Sequence, residues 1–217
     1  MKLEQGGDVQ VGEDFYDFEN YVTFQRWSSY WHQVAATLRY RPKSVLEIGM
    51  GLGVTTQILK RAGIEVTTFD FDPSLKPDIV GDVRKLDRLV APKSVDLVCA
   101  FQVLEHIPFE DFDAAIDALT RVARRNILIS LPQWGRPLEF RARLLKDRIA
   151  VKFARRIYRQ KDWKFDGQHY WELGAKGFSP ERICQSLSRK TRVLRNYVCE
   201  DNSYHYFFEC EVIDSNA

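Results

Sequence analysis

The chain has 217 residues, the size of one ordinary domain or of one domain with an appendage. Hydrophobic residues make up 45% and charged residues 29% of the sequence, which excludes disordered, collagen-like and fibrous proteins. The 32 Lys and Arg nearly balance the 30 Asp and Glu, so the formal net charge of +2 gives no general reason to expect a nucleic-acid partner.

Neither a membrane anchor nor a disulfide framework is indicated. No stretch reaches the ~18–20 consecutive apolar residues of a membrane-spanning helix, and the acidic N-terminal stretch lacks the apolar run of a signal peptide. We therefore expect a cytoplasmic protein. The cysteines form no CxxC pair, which argues against a zinc site and favours free thiols at Cys99, Cys184, Cys199 and Cys210.

Residues 1–43 predict a helical cap on a single domain that spans residues 1–217. Aromatic side chains are frequent between residues 15 and 40, and this stretch predicts one or two helices. We expect most of these rings to serve in packing.

Residues 44–132 alternate short apolar, β-branched runs with amphipathic stretches. Strands are predicted at 44–48, 65–70, 78–80, 95–100 and 126–131, and helices at 54–62 and 112–123. Such alternation implies βαβ crossovers and a mostly parallel sheet that is covered by helices on both faces. We expect this part of the chain to form the core that binds a ligand.

Residues 133–170 predict a basic insertion after the fifth strand. Between 133 and 166, eleven Lys or Arg stand against four acidic residues. Apolar residues recur there at three- and four-residue steps and predict a basic amphipathic helix: Leu138, Ala142, Leu145, Ile149, Phe153 and Ile157. Such a helix would suit a membrane surface, through 138–160, or an anionic substrate; a solvated helix that covers the binding site is the alternative.

Residues 171–217 predict the last helix and the last two strands. Ser179, Pro180 and Glu181 have the order of an N-cap, a first-turn proline and a first-turn acid, in a helix that ends near Leu187. Strands at 192–197 and 204–213 then complete the sheet. The predicted fold is α/β, with a doubly wound, mostly parallel seven-stranded sheet.

A glycine-rich loop follows the first strand, in the order Gly49-Met50-Gly51-Leu52-Gly53. Glycines let the backbone turn sharply and approach a ligand closely. A dinucleotide fingerprint would place its third glycine at position 54, where this chain has Val54. The shorter loop, preceded by Glu47, suits a ligand that carries no phosphate at this point.

Two further segments follow this loop in order. Asp70 ends the second strand, where an acid in a doubly wound fold accepts hydrogen bonds from ribose hydroxyls, and SVDLVCAFQVLEHIP contains the fourth strand and a short turn. Together, the three segments resemble the class I S-adenosylmethionine-dependent methyltransferases, and among them type 11-like bacterial members associated with small molecules and surface polysaccharides. The resemblance covers residues 45–131.

The resemblance implies a Rossmann-like fold, S-adenosyl-L-methionine as the cofactor and S-adenosyl-L-homocysteine as the product. The cap would close over the cofactor, and Asp82 matches the position that receives the adenine amino group. Phe71 and Val83 would flank the adenine ring. The residues implied to bind the cofactor are Glu47, Gly49, Gly51, Gly53, Asp70, Phe71, Asp82, Val83, Phe101 and Gln102.

The resemblance places His106 beside the transferred methyl, where it would remove a proton from a hydroxyl acceptor; a turn histidine that binds a backbone carbonyl is the alternative. His169 and Glu172 would act as a base and its orienting group, or bind acceptor hydroxyls, while Tyr170 and Trp171 stack on a sugar or ring. The alternative for this segment is a hinge whose aromatic residues anchor the insertion to the sheet.

We therefore expect a methyltransferase that acts on an oxygen or nitrogen of a small-molecule, sugar or lipid-linked acceptor. One alternative is a binding subunit that keeps the fold without turnover. Another is an RNA methyltransferase, although the chain lacks an N/D-P-P-Y/F tetrapeptide after the fourth strand. Glu105 and His106 adjoin the predicted site, but two adjacent residues in a turn are not a ligand set, so no metal is assigned.

Overall fold

The computed structural model describes residues 18–144, 149–157 and 161–213. The predictions for residues 15–17 and for Leu145 lie outside these ranges. In chain order, the strands of the described residues are β1 (Ser44–Ile48), β2 (Glu65–Asp70), β3 (Ile79–Val80), β4 (Val95–Phe101), β5 (Ala123–Pro132), β6 (Arg136–Leu144), β7 (Ile149–Ile157), β8 (Thr191–Val198) and β9 (His205–Val212).

Seven of these strands form the central sheet, in the order β3-β2-β1-β4-β5-β9-β8. Strands β1 to β5 run parallel, and β9 lies antiparallel to both β5 and β8. The sheet reverses its strand order beside β1 and β4, where open α/β sheets bind their ligands at the carboxyl ends of the strands. The doubly wound, seven-stranded sheet predicted from the sequence is confirmed.

The helices of the described residues are α1 (Phe18–Tyr21), α2 (Phe24–Arg39), α3 (Val54–Arg61), α4 (Leu86–Leu89), α5 (Phe112–Val122) and α6 (Pro180–Leu187). Thr23 caps α2 by accepting a 3.2 Å hydrogen bond from the backbone N–H of Arg26. Ser179 caps α6 in the same way, as predicted. None of these helices is long and apolar enough to cross a membrane.

Both faces of the sheet are covered, which explains the continuous hydrophobic runs of its parallel strands. Leu46 and Val98 point into one buried cluster, which contains residues of α4, α5 and α6. Val45 and Leu97, one residue earlier in each strand, point into a second cluster that contains residues of α2 and α3. The four cysteines are free, as expected.

The prediction of a basic amphipathic helix over 133–166 is wrong, because β6 and β7 form a two-stranded antiparallel hairpin. Four-residue steps are multiples of the two-residue repeat of a strand, so they do not distinguish a strand from a helix. The alternation of apolar and polar residues along each strand is the better signal. It places Phe140 and Phe153 on the same face of the hairpin, where they are directly paired. The helix proposed for a membrane surface at 138–160 is therefore not formed by the described residues.

The polar face of the hairpin contacts the loop before β9. Ser203 Oγ donates a 2.6 Å hydrogen bond to Glu139, and Arg156 Nε donates a 3.0 Å hydrogen bond to the carbonyl of Ser203. The opposite face carries exposed apolar side chains: Leu138, Phe140, Val151, Phe153 and Ile157.

The segment after the hairpin returns to the carboxyl edge of the sheet and is anchored there by Trp171. This side chain is fully buried, and its indole N–H donates a 3.1 Å hydrogen bond to the carbonyl of Ile107. Trp171 therefore cannot stack on an acceptor, and the anchoring alternative is correct for this residue. The anchor holds the preceding His169 and Tyr170 over the ends of the parallel strands.

Candidate active site

A cavity of about 400 Å³ lies at the carboxyl ends of β1, β2 and β4. One end is lined by acids that follow β2 and β3, and the other by side chains of the turn after β4 and of the loop that Trp171 anchors. The predicted site residues that line the cavity are Gly49, Asp70, Phe71, Asp82, Val83, Gln102, His106 and His169. Residues separated by 120 positions in the chain thus share one cavity.

The glycine loop begins at Gly49, whose backbone requires a glycine for two reasons. Its φ angle of 74° lies in the left-handed region, and an added Cβ would overlap the side chain of Val103. The N–H of Gly49 donates a 2.8 Å hydrogen bond to the carbonyl of Phe69, which ties the loop to the end of β2. Gly51 and Gly53 also have positive φ angles, so the whole loop depends on its glycines.

Asp70 closes the cavity wall at the end of β2. Its Oδ2 accepts a 2.9 Å hydrogen bond from the N–H of Met50, and its Oδ1 accepts one of 3.0 Å from the N–H of Asp72. Burial raises the pKa of Asp70, and these hydrogen bonds partly oppose the shift. The carboxylate is therefore held in one orientation by backbone donors.

Asp82 has a partner that the sequence interpretation did not include. Arg84 Nε donates a 2.9 Å hydrogen bond to Asp82, and Arg84 Nη1 donates one of 3.1 Å to Asp111. Burial raises the pKa of Asp82, but the bonds from Arg84 outweigh it and hold that pKa below its usual value. Asp82 is therefore an ionised carboxylate held by an arginine that also lines the cavity.

Four of the predicted cofactor residues lie outside the cavity wall: Glu47, Gly51, Gly53 and Phe101. Glu47 is buried and accepts a hydrogen bond from Thr56 Oγ1 at the start of α3. Burial raises the pKa of Glu47 to about 7. Phe101 packs against Phe207, with ring centroids 6.0 Å apart. In this structure these side chains support the loop and the sheet behind the cavity.

At the other end, the structure brings the three predicted catalytic residues together. His106 Nδ1 donates a 3.0 Å hydrogen bond to the carbonyl of Gln168, and the rings of His106 and His169 lie edge to face with centroids 5.0 Å apart. His169 Nδ1 lies 2.8 Å from Glu172 Oε1, which also accepts a 2.8 Å hydrogen bond from Tyr204 Oη. Both imidazoles are therefore held through Nδ1.

The two histidines have opposite electrostatic environments. Burial lowers the pKa of His106 to about 4, and the neighbouring His169 adds to the effect. Burial also lowers the pKa of His169, but the hydrogen bond to Glu172 and the charge of that carboxylate oppose the effect, and the pKa of His169 is raised. His106 is thus neutral near pH 7, with Nε2 as its unprotonated nitrogen, because Nδ1 donates to a carbonyl.

Several cavity residues were missed by sequence reasoning. Glu105 is fully buried, and burial raises its pKa to about 8; it had been considered only as a neighbour of His106. Gln102 was predicted, but not its positive φ of 59°, a strained conformation typical of functional sites. Arg26 from the cap and Tyr204 from the turn before β9 also line the cavity, and no local motif marks them. Tyr21 lines it too and belongs to the aromatic stretch that was expected to close over the cofactor.

Two overlapping groups of side chains have the spacing of metal ligands. Glu105, His106 and His169 each offer one ligand atom within 4.8 Å of the others, and so do Asp166, His169 and Glu172. The same end of the cavity therefore offers hydrogen-bonding groups for an acceptor and nitrogen and oxygen ligands for a cation.

A family model described as a methyltransferase domain matches residues 21–187, which include strands β1 to β5 and all of the cavity lining except Tyr204. No curated protein matches the sequence.

Solved structures show the same fold at low sequence identity. The 1,6-didemethyltoxoflavin-N1-methyltransferase of Burkholderia thailandensis, solved with its acceptor and S-adenosylhomocysteine, has a TM-score of 0.60 and 15% identity over 93% of this chain and 83% of its own. The magnesium protoporphyrin IX methyltransferase of Synechocystis, solved with S-adenosylhomocysteine, has a TM-score of 0.61 and 15% identity over 95% and 90%. The N-methyltransferase NodS of Bradyrhizobium japonicum has a TM-score of 0.59 and 12% identity over 94% and 95%.

Proposed function

Because the chain belongs to the methyltransferase domain family, we propose that it transfers a methyl group from S-adenosylmethionine to an oxygen or nitrogen of a small acceptor. One observation carries this proposal: a single cavity joins the acidic end, at Asp70 and Asp82, to the histidine end, at His106 and His169. Methyl transfer needs such a cavity, because cofactor and acceptor must meet in line within one site.

The acidic end has the properties that the cofactor requires. Asp70 is oriented by the glycine loop and by its own turn, so that its remaining lone pairs can accept hydrogen bonds from ribose hydroxyls. Phe71 and Val83 line the wall beside Asp82, where an adenine ring would lie. Gly49 lines the cavity at the end of β1, where its backbone is not covered by a side chain of its own. When bound, S-adenosylmethionine supplies an electrophilic methyl with a thioether leaving group.

The histidine end is assigned to the acceptor. His169 has the arrangement of a general base, because Glu172 holds its Nδ1 and directs Nε2 to the proton of an acceptor hydroxyl or amine. Tyr204 holds the same carboxylate and thereby the orientation of the pair. His106, neutral near pH 7, provides a hydrogen-bond acceptor beside it. Such a correctly placed base contributes typically ~10²–10⁴-fold to the rate.

The size of the cavity supports a small acceptor. About 400 Å³ lies at the low end of the range for ligand cavities, so the space beside a bound cofactor suits the reacting group of an acceptor. A small molecule, a sugar or the head of a lipid-linked intermediate fits this description. The structural relatives named above include one methyltransferase that was solved with 1,6-didemethyltoxoflavin bound.

Calorimetric titration of the purified chain with S-adenosylmethionine and S-adenosylhomocysteine tests this proposal. We expect saturable binding of both, and a roughly 10- to 100-fold loss in Asp70→Ala, the equivalent of ~1.5–3 kcal/mol for hydrogen bonds to a charged group. Asp162→Asn is the control, because this side chain is 78% exposed and lies away from the cavity. The absence of binding to the folded wild-type chain would overturn the proposal.

A further inference from the structure

Three side chains at the histidine end of the cavity lie close enough together to share one metal ion. His106 Nε2 lies 3.9 Å from Glu105 Oε1, and ligand atoms of Glu105, His106 and His169 all lie within 4.8 Å of one another. Nitrogen and oxygen ligands of a zinc-like ion lie ~2.0–2.2 Å from the metal. Side-chain rotations that move these atoms by about 1 Å would therefore close all three around one ion.

Both histidines have the supporting hydrogen bonds that metal-binding imidazoles use. In such sites, the ring nitrogen away from the metal donates to a carbonyl or a carboxylate, which fixes the tautomer and the ring orientation. Here His106 Nδ1 donates to the carbonyl of Gln168, and His169 Nδ1 is held by Glu172. Glu172 is in turn held by Tyr204, so this outer layer is itself ordered.

Glu105 is an independent indication that the site receives a cation. Its side chain is fully buried, it lines the cavity, and neither carboxylate oxygen has a hydrogen-bond partner among the described residues. Buried carboxylates are normally hydrogen-bonded, paired with a charge or bound to a metal, because desolvation is otherwise unfavourable. The N–H of Tyr170 binds the backbone carbonyl of Glu105 at 2.9 Å, which holds this residue beside the His169 loop.

We propose that Glu105, His106 and His169 bind a divalent transition-metal ion. Two imidazoles and one carboxylate form a ligand set for ions such as Zn²⁺, Fe²⁺ or Mn²⁺, and leave coordination positions open. The overlapping group at Asp166 is the poorer candidate. Asp166 is exposed and already accepts hydrogen bonds from the N–H groups of Gln168 and His169.

This proposal rests on the proposed function and deepens it by assigning the acceptor class. An ion at this end of the cavity favours a hydroxyl acceptor over an amine, because coordination lowers the pKa of a hydroxyl and would block the lone pair of an amine. In the reaction, the acceptor oxygen forms a bond to the methyl carbon while the carbon–sulfur bond breaks. The electron pair of the broken carbon–sulfur bond stays on sulfur, and the proton of the acceptor hydroxyl is released to solvent. With the ion bound, His169 is a metal ligand and no longer the general base. The ion then activates the acceptor hydroxyl in its place.

Metal titration of the untagged, chelator-treated full chain tests the site directly. Co²⁺ is followed by its visible absorption and Mn²⁺ by the nitrogen couplings of bound imidazoles in electron paramagnetic resonance. We expect one ion per chain and at least a tenfold loss of affinity in both Glu105→Gln and His169→Asn. His32→Asn is the matched control, because His32 also lies close to a carboxylate, 3.7 Å from Asp201, but outside the cavity.

Cofactor titration of the same samples separates this proposal from the proposed function. We expect the metal-site variants to bind S-adenosylhomocysteine as the wild-type chain does, which also establishes that they fold. Cofactor binding without stoichiometric metal binding, or metal binding that survives both substitutions, overturns the metal site and leaves the proposed function intact. If neither ligand binds the folded chain, both proposals fail.

Discussion

Asp70 and Met50, twenty residues apart, are joined by a 2.9 Å hydrogen bond from the Met50 N–H to the Asp70 carboxylate. The bond links the end of β2 to the glycine loop after β1, so the two features that sequence analysis treated separately form one unit. A change in the loop is therefore expected to move the carboxylate, and a change in the carboxylate is expected to loosen the loop.

Gly49→Ala is expected to destabilise the fold more than Gly63→Ala. Both glycines have positive φ angles, but an added Cβ overlaps Val103 at position 49 and meets no atom within 4 Å at position 63. The difference should be about 1–3 kcal/mol, the usual range for overpacking. Urea unfolding measures it. In a Val103→Ala background, the extra destabilisation by Gly49→Ala should become smaller. If it stays the same, the proposed overlap with Val103 is contradicted.

Glu47→Gln is expected to change how stability depends on pH. Burial raises the pKa of Glu47 from 4.5 to about 7, so the folded chain binds a proton that the unfolded chain has lost between these values. The wild-type free energy of unfolding should therefore fall as pH rises through this window, by roughly 3 kcal/mol at most. The variant should lack this component in urea unfolding at several pH values. Parallel profiles for both proteins would exclude the shift.

His205→Leu is expected to remove a pH dependence of the opposite sign, in which the free energy of unfolding of the wild type falls as pH falls. His205 is fully buried, and burial, together with the charges of Arg26, Arg156 and His32, lowers its pKa from 6.5 to about 3. Below pH 6.5 the unfolded chain gains a proton that the folded chain does not bind. The wild type should therefore lose up to ~1.4 kcal/mol per pH unit relative to the variant. A difference that stays constant between pH 7.5 and pH 5.5 would refute this.

Trp171→Phe is expected to lower the free energy of unfolding by about 1–3 kcal/mol, because the buried carbonyl of Ile107 loses its donor. Tyr170→Phe, one residue away and 36% exposed, should change it by no more than ~0.5 kcal/mol. Urea unfolding compares the two. Faster amide exchange across residues 166–172 in Trp171→Phe would identify the tryptophan as the anchor of the histidine loop, and equal exchange would argue against that role.

Local pattern alone predicted the parallel sheet and placed Gly49 and Asp70 at its edge, whereas the role of Asp82 was implied by the family resemblance. Continuous hydrophobic runs predicted the strands because both sheet faces are covered, and the topology then brings their carboxyl ends to one edge. Gly49 and Asp70 follow two such strands, so their proximity could be predicted without coordinates. The same reasoning failed for residues 133–166, because an apolar repeat of four residues is shared by helices and strands. Alternation around Phe140 and Phe153 would have indicated the hairpin.

The set of side chains that meet at the histidine end of the cavity could be seen only in the tertiary structure. Glu105 and His169 are 64 positions apart, and they meet because Trp171 is buried beneath the loop and because the N–H of Tyr170 binds the carbonyl of Glu105. A loop has no periodicity from which its path can be predicted, since its course depends on contacts with distant elements. The sequence by itself therefore determined the sheet and the motifs at its edge, and long-range packing decided which side chains face one another.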